Sequence, residues 1–142
     1  MKRTILFIIA LAACMATAGA QEANQNYVLS RTMLNEAGTA SMDHVTYYDG
    51  LGRPTLQVGM GTAPDGKNLV TLQEYDGAGR ESATWLPVAL ADGYPTAAAI
   101  QSAAKTAYGD NLPYAKTVYE ASPLNRIGEQ YGPGRPGTTG IR

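Results

Sequence analysis

The sequence predicts a mainly β fold, an antiparallel meander of β-hairpins with about seven strands and one inserted α-helix near residues 96–108. Three observations predict it. First, Tyr48-Asp49-Gly50-Leu51-Gly52-Arg53 recurs as Tyr75-Asp76-Gly77-Ala78-Gly79-Arg80, 27 residues later and identical at five of six positions. Self-similarity of this kind marks stacked supersecondary units. Second, 16 Gly and 8 Pro are spread along the chain beside nine Tyr, which favours frequent turns and short strands. Third, one stretch breaks the rhythm: residues 96–108 are Ala-rich and contain neither Gly nor Pro.

The elements follow in order. Residues 27–34 read as a first strand, and Glu36-Ala37-Gly38 begins a turn. Residues 44–47 and 55–58 flank the first copy of the repeat as strands, and residues 69–72 and 82–85 flank the second. Each copy is therefore a hairpin turn. Asp49 and Asp76 can accept from backbone N–H groups two residues on. Gly50, Gly52, Gly77 and Gly79 tolerate the positive φ of a tight loop or bulge. Tyr48 and Tyr75 close the outgoing strands, and Arg53 and Arg80 open the return strands within reach of the aspartates. Such a surface pair adds little beside the turn geometry itself.

Ala63-Pro64-Asp65-Gly66-Lys67 is a second turn type linking the copies, and Gly59-Met60-Gly61 before it should fray or bulge. The helix should start at Pro95 or Thr96 and end before Gly109, with Ile100, Ala103, Ala104 and Ala107 along the face packed on the sheet. Residues 114–120 and 126–131 form a last strand pair around Ser122-Pro123-Leu124-Asn125. There Tyr119-Glu120 looks like a degenerate start of the repeat and Arg126 like its closing arginine. Residues 132–142, rich in Gly and Pro, should be a loose tail, and residues 21–25 a linker.

The first twenty residues read as an export signal. Lys2 and Arg3 precede an apolar run at residues 5–13, and Ala18-Gly19-Ala20 offers a cleavage site before Gln21. A competing leader is Leu11-Ala12-Ala13-Cys14, which resembles a bacterial lipobox with Cys14 as the lipidated residue. Plain cleavage is preferred, and it would leave a chain without cysteine, hence without disulfide or thiol chemistry. The whole chain carries a formal charge of −1, and loss of Lys2 and Arg3 leaves nine basic against twelve acidic residues, or −3. A mildly acidic surface argues against nucleic acid as a partner, because phosphate binding needs a basic patch.

Tyr-Asp-Gly-x-Gly-Arg at 48–53 and 75–80 resembles the Rhs, or YD, repeat. Trp85-Leu86-Pro87, residues 119–126 and Gln130-Tyr131-Gly132-Pro133-Gly134 extend the likeness. The stretch from 26 to 134 is similar to the uncharacterised domain that precedes YD repeats in exported bacterial Rhs-type proteins. That resemblance implies a long spiralling β-sheet able to close into a hollow shell, which in many members encloses a C-terminal toxin or effector. For this chain it implies the N-terminal part of such a shell, with no catalytic activity and no cofactor. Its expected partners are downstream Rhs/YD repeats, joined by strand pairing. Its expected location is periplasmic, outer-membrane-associated or extracellular, touching a membrane only through a lipid on Cys14. With two good copies, one poor one and no toxin domain, the chain is expected to be a truncated or split gene product.

Other chemistry fits the residues poorly. Residues 61–67 match Gly-x4-Gly-Lys, but Asn68 stands where a phosphate loop needs Ser or Thr, and a strand follows where it needs a helix. His44, the one histidine, belongs on a solvated strand face, and no Gly-x-Ser-x-Gly elbow accompanies it. One histidine without cysteine does not supply a transition-metal site. Asp49 and Asp76 could pair as glycosidase carboxylates or bind calcium, but turn capping accounts for both. The tyrosines and Trp85 could stack on a surface glycan, the alternative to a purely structural role.

Overall fold

The structure, a computed structural model, describes residues 25–134. Residues 1–24, which hold the expected leader with Cys14, and residues 135–142 lie outside the described residues. Eight strands form one antiparallel sheet: β1 (Asn26–Met33), β2 (Ser41–Tyr48), β3 (Pro54–Met60), β4 (Asn68–Tyr75), β5 (Glu81–Trp85), β6 (Val88–Leu90), β7 (Tyr114–Tyr119) and β8 (Ile127–Tyr131). The order is β1-β2-β3-β4-β5-β7-β8, and β6 pairs with β4. The one helix among the described residues, α1 (Ala97–Tyr108), lies between β6 and β7. The architecture is the mainly β meander of hairpins with one inserted helix that the sequence predicts.

Alternation along the strands makes one face the core. Val45 and Tyr47 of β2, Leu56 and Val58 of β3, Val70 and Leu72 of β4, Trp85 of β5 and Val88 of β6 are all buried. The period of two places them on one side of the pleat. Helix α1 covers that side with Ile100 and Ala104. Thr96 caps the helix, its hydroxyl accepting from the Ala99 N–H at 3.3 Å, and Gly109 ends it in the left-handed region at φ 60°. Glu74 ties helix to sheet, accepting from Gln101 Nε2 at 2.6 Å and from Trp85 Nε1 at 3.0 Å.

Four details differ from the sequence-based expectation. The strands number eight rather than seven, because Val88–Leu90 pairs with Asn68–Val70 beyond the end of β5. The Gly59-Met60 stretch does not fray: Gly59 pairs with both His44 and Leu69, and Met60 with Asp43. Thr62 folds onto this strand end and donates to the Gly59 carbonyl, and a Cβ at Gly59 would lie 2.6 Å from its Oγ1. Ala107 is exposed, so the buried stripe of the helix is narrower than expected. Of the four repeat glycines, only Gly52 (φ 76°) and Gly79 (φ 82°) take positive φ; Gly50 and Gly77 do not.

The sheet has two free edges among the described residues. β1 pairs only with β2, and every residue of β1 is exposed. β8 pairs only with β7 and is exposed from Ile127 to Gln130.

Candidate functional site

The two copies of the repeat build the same turn. Asp49 N–H donates to the Arg53 carbonyl at 2.9 Å, and Gly52 N–H to the Asp49 carbonyl at 3.0 Å. The second copy repeats both bonds, Asp76 to Arg80 at 2.8 Å and Gly79 to Asp76 at 2.9 Å. Asp49 Oδ1 accepts from the N–H groups of Leu51 and Arg53, each at 2.9 Å, and Asp76 Oδ1 from Ala78 and Arg80, each at 2.9 Å. The other carboxylate oxygen takes the guanidinium, Arg53 Nε at 2.7 Å and Arg80 Nε at 2.8 Å. These donors hold both carboxyls below the usual carboxylate range, the Arg53 and Arg80 backbone N–H groups most strongly and their guanidinium bonds next. Each aspartate is thus occupied by its own loop.

The arginines also reach forward, from one hairpin to the next. Arg53 stacks over the Tyr75 ring, its guanidinium carbon 4.3 Å from the centroid. Arg80 stacks over the Tyr119 ring at the same 4.3 Å. The register explains both contacts. Leu56 pairs with Leu72 across β3 and β4, and Ala83 with Lys116 across β5 and β7. Carried outward by three residues, each ladder sets the arginine directly against the tyrosine. Each arginine then touches the left-handed residue of the following turn. A Cβ on Gly79 would lie 2.7 Å from Arg53 Nη1, and Arg80 Nη1 donates to Asn125 Oδ1 at 3.3 Å. Gly79 therefore answers to two constraints, its φ and the guanidinium packed on it. Tyr75 anchors its end by donating to the Pro54 carbonyl at 2.8 Å, and burial raises its phenol above the usual range, with the Glu81 charge adding to the shift.

The third turn follows the same plan with two extra residues. Glu120 N–H donates to the Arg126 carbonyl at 2.9 Å, and Asn125 at φ 54° stands where Gly52 and Gly79 stand. All three hairpins shift register where the strand meets the turn, at Tyr48, Tyr75 and Tyr119. No ion pair joins Glu120 to Arg126, and the Arg126 side chain has no partner among the described residues.

A family model described as "Domain of unknown function (DUF6443)" matches residues 19–139. The chain belongs to the DUF6443 family. No curated protein and no solved structure matches it. Within this DUF6443 chain the ten repeat residues singled out from sequence fall on one rim of the sheet as two equivalent turns. The pairing of Arg53 with Asp49 and of Arg80 with Asp76 was foreseen. The stacking of each arginine on the next tyrosine was not: the turn at 63–67 sets the β3–β4 register behind Arg53 on Tyr75, while Arg80 on Tyr119 depends on the pairing of β5 with β7, across β6 and the helix.

Residues 61–67 form a hairpin turn with Gly66 N–H on the Ala63 carbonyl at 2.9 Å, and β4 follows it. His44 is exposed on the face away from the helix. Among the aromatic residues, Trp85 is only 5% exposed and packs on Tyr114, 4.6 Å between ring centroids. Tyr47 lies between Tyr27 and Tyr94. Trp85 and Tyr47 belong to the core and Tyr94 and Tyr114 pack against it, whereas Tyr27 is exposed on β1 and Tyr75 and Tyr119 lie under arginines. A groove of about 330 Å³ remains over β7 and β8, lined by Leu112, Tyr114, Lys116, Val118, Glu129 and Tyr131. Tyr131 donates to Glu129 there, and that bond raises the phenol's pKa. Gly134 N–H closes one end on the Leu112 carbonyl at 2.7 Å.

Proposed function

We propose that this chain is an exported structural module, without catalytic activity of its own, whose sheet is continued at β8 by further Rhs/YD-type hairpins. The observation that supports it is the edge of β8, unpaired among the described residues and following a run of equivalent hairpins. An unpaired edge presents a row of N–H and C=O groups that recruit another strand. The −3 charge expected after leader cleavage and the absorption of Asp49 and Asp76 into their own loops fit a structural role. The glycan-binding alternative now rests on the groove beside Tyr131, since Trp85 is buried, and a glycan array that captures nothing removes it.

The exported chain taken alone should self-associate through its edges. Light scattering from micromolar to millimolar concentration should show the mean mass rising, and hydrogen exchange should show the β8 amides gaining protection as it does. A chain that stays monomeric over that range, with β8 exchange unchanged, contradicts the proposal.

A further inference from the structure

We infer that Arg126 is the docking residue for the incoming strand, and that this strand must end in an aromatic residue set directly opposite it. The inference rests on the edge-extension reading above and gives that edge its specificity. Its basis is a contact made twice with the same geometry. Arg53, Arg80 and Arg126 each stand immediately before a strand, β3, β5 and β8. Each accepts on its carbonyl the N–H of the acidic residue that opens its turn. The first two lay the guanidinium over a tyrosine that ends the neighbouring strand, both at 4.3 Å. They also reach the left-handed residue of the neighbouring turn, Gly79 or Asn125. Arg126 has the same backbone placement beside a free edge, and its side chain is exposed and without a partner among the described residues.

The occupant is therefore a hairpin of this chain's own type. It brings a strand antiparallel to β8, a terminal tyrosine for the Arg126 guanidinium, and a turn closing on Gly or Asn in the left-handed region. Backbone pairing alone would accept any extended strand. The cation–π contact at one fixed register selects strands with the ring in place and opposes slippage. Either edge of a second copy fits less well. β1 carries Tyr27 near its beginning and ends at Met33, so antiparallel pairing with β8 brings no terminal ring to Arg126. A second β8 ends in Tyr131, but that hydroxyl is held by Glu129 and Gly132-Pro133 follows where the repeat turns open on an acidic residue.

The test uses a synthetic peptide spanning residues 68–85, which contains β4, the second turn and β5. It is titrated into the full 15N-labelled chain, and the amides of β8 and the Arg126 Nε–H are followed by NMR. The expected result is shifts along residues 127–131 and an upfield ring-current shift at Arg126. Arg126→Met should weaken binding by about 2–5-fold, and so should Tyr75→Leu in the peptide, with the two together no worse than either alone. Shifts along β8 with affinity indifferent to Arg126→Met overturn the inference and leave edge pairing standing. Absence of any shift in β8, or shifts confined to β1, overturns both. Arg126 is exposed, so its replacement leaves the fold intact.

Discussion

Replacing Tyr47 with alanine should destabilise the fold by roughly 3–5 kcal/mol, the range for losing a large buried aromatic side chain. Tyr47 is only 2% exposed and sits where three parts of the chain meet. Its ring packs on Tyr27 of β1 at 5.8 Å and on Tyr94 of the β6–α1 connection at 4.6 Å. Truncation removes both ring contacts and leaves a cavity between sheet and loop, which rigid strands on either side cannot close. A domain of this size has a total stability of about 5–15 kcal/mol, so the variant should approach the unfolding limit. Urea denaturation should show a large fall in midpoint. Gln57→Ala, at an exposed position on the opposite face of β3, should shift it little. Equal shifts for the two would place the core on the wrong face.

The second large effect is expected at Ile100. It is fully buried, and apart from Tyr108 it is the only large apolar side chain in a helix otherwise built of alanines and polar residues. Ile100→Ala should cost roughly 2–5 kcal/mol. The helix would then dock mainly through Ala104, the Tyr108 bond to the Pro87 carbonyl at 2.6 Å and the Gln101 bond to Glu74. A 12-residue helix is marginal without tertiary packing, so its circular dichroism signal should fall ahead of the sheet's on heating. Coincident loss of both signals at the wild-type midpoint would show that Ile100 does not carry the docking.

These contacts show why the fold was largely legible in the sequence and the ladder was not. The turns were legible because their chemistry is local. Asp49 and Asp76 bond within four residues of themselves, and Gly52 and Gly79 supply the φ that closes each loop. The helix was legible for the same reason, with its Thr96 cap and Gly109 stop. β6 was missed because three residues after Pro87 carry no readable period, and its identity comes from β4. That strand runs eight residues while β5 covers only its far end, leaving Asn68–Val70 to be paired. Arg53 on Tyr75 and Arg80 on Tyr119 escaped because they depend on cross-strand register, which no single motif contains. The third turn was recognised only as degenerate because Asn125 replaces glycine and two residues lengthen the loop, yet its backbone closes in the same way.

Arg53 and Arg80 each lock onto the ring that ends the neighbouring strand, so that successive hairpins are coupled as well as adjacent. A double-mutant cycle of Arg53→Met and Tyr75→Leu measures this directly, because the Asp49 pairing and the Tyr75 bond to Pro54 cancel between its arms. The expected coupling is about 0.5–2 kcal/mol in unfolding free energy. Additivity of the two substitutions, to within about 0.3 kcal/mol, would contradict the claim.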